Sequence, residues 1–292
     1  MVYRKVCDYM NSLQEIINRI KVELVNYTGD VNIANYVTND IKIVFLDEND
    51  FLRETGVDSL SNAPGAFHKI IDNSVNILKK DNYNEMDYHK LIHEILHAYS
   101  NNYFKFGKSG LQVYGYDENN KLISAGGTIN EAATEFITSI INKDGFIGYP
   151  DDMKCIFELF IDILDIRSDF VEIYFQESNW ITEEFNKKFN SETPNQLDEF
   201  ILELDNRLPM YRKKPYNFNK LVAILIDAIR SKLNNSENVN FELLCNDLIN
   251  LKIVANAMDF ELNQENASAI DSFISNNKMY NEQTSEVIGR VK

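Results

Sequence analysis

Residues 90–100 read KLIHEILHAYS, and this stretch carries the strongest chemical signal in the chain. Apolar side chains recur at helical spacing from Asn84 to Ser100, which predicts a helix with Asn84 as its N-cap. On such a helix His93 and His97 are four residues apart, so both imidazoles project from one face, with about 6 Å between their Cβ atoms. This spacing lets two ring nitrogens approach one metal ion at the zinc–nitrogen distance of about 2.0–2.1 Å.

Glu94 lies between the two histidines and has a different predicted task. Because it directly follows His93, it projects too far around the helix to be the third ligand, yet it can reach a water molecule bound to the metal. That is the position of the general base in the H-E-x-x-H pattern. The alternative is an ordinary helix on which both histidines only pack in the core or lie at the surface.

A second pattern lies downstream, in TINEAATEFIT at residues 128–138. Glu131 and Glu135 are also four residues apart on one predicted helix. Glu131 can complete a set of two histidines and one glutamate, and Glu135 can accept the other N–H of a ligating histidine. The alternative is that Glu131 only closes a capping box with Thr128 and that Glu135 is solvated.

Together, HEILH and NEAATE resemble the two motifs of the gluzincin zinc metallopeptidases, of which thermolysin is the best-known type. The resemblance covers roughly residues 40–140 and implies a zincin-like lobe that hydrolyses peptide bonds with one Zn²⁺ ion per chain. The roles it implies are zinc ligands for His93, His97 and Glu131, general base for Glu94, and support of a ligand histidine for Glu135.

Residues 62–67, NAPGAF, resemble the edge strand by which these enzymes hold an extended peptide through backbone pairing. The expected partner is therefore a peptide or protein substrate. The sequence shows no signature for gripping a peptide terminus, which favours an endopeptidase. The alternative is a zincin-fold protein that keeps its metal and serves binding or interaction without turnover.

Thermolysin-like enzymes carry a further histidine downstream, but no histidine follows His97 here. A tyrosine or an arginine is therefore expected to donate a hydrogen bond to the oxyanion of the tetrahedral intermediate. Tyr149 is the first choice, because GFIGYPDD lies at the junction of the two halves, where a cleft is expected. The other candidates are Tyr114, Tyr116, Tyr174 and Arg167.

Two histidines remain outside the predicted ligand set. His89 lies one turn before His93, but ligands at three successive turns of a straight helix cannot converge on one ion, so we expect a surface or supporting role. His68 lies on a predicted strand near the substrate edge, and a plain surface residue is expected there.

The chain has 292 residues, and its net charge is −16. This acidity argues against nucleic acid and anionic membranes as partners, because both attract Lys and Arg. No apolar run is long enough to span a membrane, and no signal peptide is visible, which favours a cytoplasmic location unless a signal has been removed. The wide spacing of Cys7, Cys155 and Cys245 predicts free thiols. The oligomeric state stays open.

The predicted fold class is α+β, in two parts. Residues 1–147 form a zincin-like lobe, and residues 148–292 form an all-helical lobe expected to close the cleft. In the first lobe we predict a helix at 3–27, a strand at 41–46 covered on both faces, hairpin arms at 66–71 with 74–79 and at 110–116 with 121–125, and a helix from Thr128 to near Gly145.

Overall fold

The computed structural model describes residues 2–38, 41–60, 65–102, 108–116, 120, 122–175, 196–234 and 239–289. The chain is a mixed α+β protein that divides into two compact units. The first unit runs to Ile147 and also includes the described residues of Val171–Ser178. The second unit holds Gly148–Phe170 and the described residues that follow 178. The chain thus leaves the first unit after Ile147 and returns to it at Val171.

The first unit opens with helix α1, Val2–Thr28, which buries Ile20 and Leu24 on its apolar face. Full burial of one such side chain is worth about 1.5–3 kcal/mol. The helix ends at Gly29, whose φ of +71° is a left-handed conformation that glycine adopts without a steric penalty. A short 3₁₀ helix, Val31–Tyr36, follows.

A three-stranded sheet comes next, with strand order β1-β3-β2. Strand β1 is parallel to β3, and β2 is antiparallel to β3 through a turn in which Asn73 has a φ of +47°. The first predicted hairpin is present with shorter arms. The prediction that β1 is covered on both faces is wrong, because Lys42 and Phe45 are exposed. The elements are β1 Lys42–Leu46, helix α2 Glu48–Thr55, β2 Ala66–Lys69 and β3 Ser74–Leu78.

Helix α3, Glu85–Tyr99, begins where the sequence predicted, because Asn84 and Asp87 form a reciprocal capping box. A four-stranded antiparallel sheet follows, in the order β4-β5-β6-β7. Its strands are β4 Asn101–Asn102, β5 Lys108–Ser109, β6 Gln112–Tyr116 and β7 Leu122–Ala125, and the last two form the second predicted hairpin.

Helix α4, Gly127–Asn142, carries the second motif. Its N-cap is Gly126 and no side chain caps it, so the capping box of Thr128 with Glu131 is not formed. The helix ends at Lys143, which adopts a left-handed conformation. Glu131 is thereby available for another role.

Every described secondary-structure element of the second unit is a helix. Within it Phe157 packs on Phe170 and Phe160 stacks on Phe200. Cys155 and Cys245 are buried free thiols, and the side chain of Cys7 lies outside the described part. The helices are α5 Asp151–Leu164, α6 Phe170–Phe175, which continues into the first unit, α7 Gln196–Asp205, α8 Phe218–Asn234, α9 Phe241–Ala257 and α10 Gln264–Gly289.

Within the described part of the chain, no helix combines the length and the apolar character that a membrane crossing needs.

Candidate metal centre

Helices α3 and α4 bring three potential ligand atoms of the first unit together. His93 Nε2 lies 3.1 Å from His97 Nε2 and 3.1 Å from Glu131 Oε2. His97 Nε2 lies 3.4 Å from the same Glu131 oxygen. Both histidines are buried and Glu131 is largely buried. The two sequence motifs therefore meet at one point.

The spacing and chemistry of these three atoms fit a metal ion. A tetrahedral zinc ion with ligands at about 2.0–2.1 Å separates its ligand atoms by about 3.3–3.4 Å. Three lone-pair-bearing atoms this close together repel one another unless protons or a cation lie between them. His93, His97 and Glu131 can therefore hold a metal ion.

Glu135 holds the other edge of the His93 ring. Its Oε2 lies 3.1 Å from His93 Nδ1, and its Oε1 lies 2.8 Å from His89 Nε2 and accepts the N–H of Ile147 at 2.6 Å. The carboxylate is 1% exposed, so these contacts supply its hydrogen bonds in place of water. An acceptor at Nδ1 selects the tautomer whose Nε2 lone pair is directed at His97 and Glu131, where it could bind an ion.

His97 has its own supporting group, which the sequence did not reveal. Its Nδ1 lies 3.4 Å from the hydroxyl of Thr134 and 3.3 Å from the side-chain amide nitrogen of Asn130. The Thr134 hydroxyl donates to the backbone carbonyl of Asn130 at 2.7 Å, so a lone pair of its oxygen can accept the Nδ1–H of His97. Thr134 is one residue before Glu135, and both belong to NEAATE, so the motif supports both histidines.

Tyr174 was a candidate for the oxyanion donor, and the structure contradicts that role. The side chain is 0% exposed, and its hydroxyl lies 2.6 Å from Thr134 Oγ1 and accepts from Ser100 Oγ at 3.2 Å. Burial raises the pKa of this phenol. Tyr174 therefore buttresses Thr134 behind the ligands and cannot meet a substrate.

Gly110 has no side chain, and this allows Asn130 and Tyr174 to lie close to its backbone. A Cβ at this position would lie 2.2 Å from Asn130 Oδ1 and 2.8 Å from Tyr174 Cε2, and the residue has a φ of +54°. Only glycine fits here without displacing the groups around His97. The sequence carried no signal for this requirement, because the three residues are distant along the chain.

Glu94 is held from the opposite side by strand β2. The backbone N–H of His68 donates to Glu94 Oε2 at 2.7 Å. Burial raises the pKa of Glu94, although the nearby His93 and His97 oppose this shift. The carboxylate is thus fixed beside the ligands and made more basic than an exposed glutamate.

His68 is not the plain surface residue that the sequence suggested. The residue is half-buried, and its ring lies parallel to that of His97 with 6.3 Å between the ring centroids. Its Nε2 forms a hydrogen bond with Asn73 Oδ1 at 2.8 Å. Burial, followed by the proximity of His97, lowers the pKa of His68 to about 4. The ring is therefore neutral at physiological pH.

His89 is buried, so the supporting role is the one that the structure favours. Burial by itself lowers the pKa of His89, but hydrogen bonds with Glu135 and Asp144 outweigh it and raise the pKa. At His93, burial likewise acts to lower the pKa, but hydrogen bonds with Glu131 and Glu135 outweigh it and raise the pKa to about 10. For Glu131, burial acts to raise the pKa, but His97 and His93 hold it well below the usual range. Positive charge is therefore strongly favoured among these groups.

Two of the remaining oxyanion candidates have defined partners of their own. Tyr114 donates to Gln112 Oε1 at 2.7 Å, and Arg167 is paired with Asp162 at 2.6 Å in the second unit. Tyr149 belongs to the second unit and is half-buried, and its role stays a prediction. The side chain of Tyr116 lies outside the described part of the structure.

Comparison with protein-family models, with curated proteins and with solved structures gives no match to this chain. Its function is therefore inferred from its own residues and their geometry.

Proposed function

We propose that this chain is a zinc-dependent metallopeptidase whose first unit is a zincin-like lobe. The observation that carries the proposal is the convergence of His93, His97 and Glu131 within 3.1–3.4 Å, with Glu94 adjacent. Two imidazoles and one carboxylate form a ligand set of catalytic zinc, which keeps a further position for water or substrate. Structural zinc sites instead fill all four positions with protein ligands.

Each residue then has a defined task. His93, His97 and Glu131 would hold a zinc ion, which would polarise the scissile carbonyl and lower the pKa of a water molecule to near 7. Glu94 would take up a proton at its carboxylate and pass it to the leaving amine. The N–H of His68 occupies Oε2 of Glu94, which orients the carboxylate and leaves Oε1 for the proton. Glu135 and Thr134 keep the ligand rings in the orientation that presents Nε2.

Strand β2 offers a place for the substrate. Among the described residues it is an edge strand, paired only with β3. Leu78 donates to the Gly65 carbonyl, so the backbone N–H and C=O of Ala66 and the carbonyl of His68 point to the outer edge, where the N–H of His68 is already bonded to Glu94. A peptide can add there as a further strand, which supports action within an extended chain and hence an endopeptidase. Residues 62–64, half of the predicted edge segment, lie outside the described residues.

A concavity of about 300 Å³ borders this edge. Its lining is mostly apolar, which suits a substrate side chain carried by an added strand. The lining residues are Glu54, Phe67, His68, Lys69, Ile70, Ile71 and Tyr114.

The test couples zinc quantification with a broad peptide-library cleavage assay. We expect about one zinc per chain, lost in Glu131→Ala, and cleavage of extended peptides. Glu94→Gln should lower kcat by about 10²–10⁴-fold and keep the zinc, because the general base is removed and the ligands are not. Glu85→Gln, an exposed glutamate in the first turn of the same helix, is the matched control and should leave both unchanged.

Two outcomes contradict the proposal in different ways. If the chain binds zinc but cleaves no peptide, the alternative of a metal-binding protein without turnover is favoured. If the wild-type chain binds no zinc, the proposed metal centre itself is wrong.

A further inference from the structure

His89 is a buried titratable residue to which the proposed reaction gives no task. It is 2% exposed and lies one helical turn before His93. Its two ring nitrogens face two different carboxylates: Nε2 lies 2.8 Å from Glu135 Oε1, and Nδ1 lies 2.9 Å from Asp144 Oδ2. The side-chain amide of Asn142 lies 3.2 Å from Nδ1 as well.

This arrangement defines the protonation of the ring. A neutral imidazole has one N–H and one lone pair, so one of its nitrogens would point a lone pair at a carboxylate oxygen. Two N–H groups satisfy both carboxylates, which makes His89 an imidazolium ion between Glu135 and Asp144. A buried glutamate is costly unless such a positive partner compensates it.

The position of Glu135 depends on that partner. Its Oε1 receives hydrogen bonds from His89 and Ile147, which leaves Oε2 directed at His93 Nδ1. Without His89, Oε1 of the buried carboxylate would keep only the backbone donor of Ile147, and protonation or rotation of the carboxyl group would relieve the lost charge compensation. Either response removes the acceptor that fixes the His93 ring.

We propose that His89 is a positioning residue of the metal centre, which Asp144 anchors and which holds Glu135 against His93. The proposal rests on the metal centre proposed above, and it assigns part of the metal affinity to two residues outside the ligand set. Partners of this kind typically change metal affinity by about 10–100-fold when they are removed. Asp144 follows the end of α4, so the affinity also depends on how that helix end is closed.

The experiment measures the zinc dissociation constant of the full chain by competition with a chromophoric chelator. We expect His89→Ala to weaken binding by about tenfold and Asp144→Asn by a smaller factor. His89→Gln should recover part of the loss, because its amide can still donate to Glu135. Asp144 is 34% exposed in its side chain, so its substitution leaves the core intact even if His89→Ala fails to fold.

The matched control is Asp58→Asn, which removes the same charge from an exposed position of the first unit. Its zinc affinity should equal that of the wild type. A second readout separates positioning from general loosening: the ¹H shift of His93 Nδ1–H in the zinc-loaded protein. Because the chain has four histidines, the ring signals can be assigned one by one. The signal should move in His89→Ala and Asp144→Asn and stay in place in Asp58→Asn.

The outcomes distinguish this proposal from the proposed function. Wild-type affinity in Asp144→Asn and in whichever His89 variant folds overturns the role of His89 and leaves the metallopeptidase proposal standing. Weaker binding with an unmoved His93 Nδ1–H signal also overturns it, because the loss is then not transmitted through Glu135. A wild-type chain without zinc affinity overturns both.

Discussion

The backbone N–H of His68 donates a 2.7 Å hydrogen bond to Oε2 of Glu94, and this contact joins edge strand β2 to helix α3. The group proposed to move a proton is thereby held by the strand proposed to hold the substrate. Backbone donors fix a carboxylate without the conformational freedom of a side-chain partner. This link between strand and helix leads to the first prediction.

Removing that N–H should alter the acid limb of the pH profile. The hydrogen bond from His68 lowers the pKa of Glu94, so its loss raises that pKa further. In His68→Pro we expect the acid limb of kcat/KM to move to higher pH, with zinc still bound. Proline is tolerated because this N–H points away from β3 on an edge strand. His68→Ala, which loses the ring and keeps the N–H, is the control, and an equal shift in both variants would contradict the assignment.

Metal removal should lower the thermal stability of the first unit. A ligand present at 100 times its dissociation constant stabilises the folded state by about 2.7 kcal/mol. We therefore expect a chelator to lower the Tm of the wild type and zinc to restore it, as followed by calorimetry. Glu131→Ala, which lacks one ligand, should show a Tm that neither reagent changes. A wild-type Tm insensitive to both would argue against a resident metal.

Zinc binding should release a proton from His93. In protein stripped of metal, Glu131 and Glu135 raise the pKa of His93 to about 10, so the ring is protonated at pH 8. Zinc needs the Nε2 lone pair, so affinity should increase with pH up to about 10. Calorimetric titration in buffers of different ionisation enthalpy measures the released protons directly. Binding enthalpies that do not depend on the buffer would contradict this prediction.

The same shift affects the stability of the metal-free protein. The pKa of His93 is higher in the folded state than its unfolded value of 6.5, so its stabilising contribution is complete below pH 6.5 and is lost as pH rises towards 10. Urea unfolding of the chelated protein at several pH values checks this, with zinc-loaded protein as the comparison. If the free energy of unfolding of His93→Gln declines in the same way at alkaline pH, the decline belongs to another group.

A methyl group at Gly110 should disturb the groups behind His97. The new Cβ would lie 2.2 Å from Asn130 Oδ1, so the carbonyl oxygen or the helix must shift. Overpacking of this kind costs about 1–3 kcal/mol. Gly56→Ala is the control, because Gly56 has a φ of +68° and open space around its position. Urea unfolding should show a larger loss for Gly110→Ala, and equal losses would mean that backbone strain alone is responsible.

The local parts of the site could be predicted from the sequence. The spacing within HEILH and NEAATE places each pair of side chains on one helix face, and Asn84 caps α3 as predicted. These features depend on residues within one or two helical turns, so local geometry is sufficient to derive them. The side chains that each motif offers as ligands or base belong to this class, whereas the pairing of the two motifs was expected from their resemblance to the gluzincin motifs.

Other features could not be derived, because they join residues far apart in the chain. From the sequence, His68 was expected at the surface and Tyr174 was a candidate beside the substrate, whereas the structure packs His68 against His97 and buries Tyr174 behind Thr134. Nothing in a local pattern tells which distant backbone or carboxylate will reach a given side chain.

The sequence by itself determined which side chains can bind a metal and on which helix faces they lie, because those relations follow from 3.6 residues per turn. The tertiary structure decided that α3 and α4 meet at 3.1–3.4 Å, that the N–H of His68 holds Glu94 and that His89 lies between two carboxylates. The physical reason is that these contacts come from packing between elements 26–55 residues apart, where only the folded backbone sets the distances.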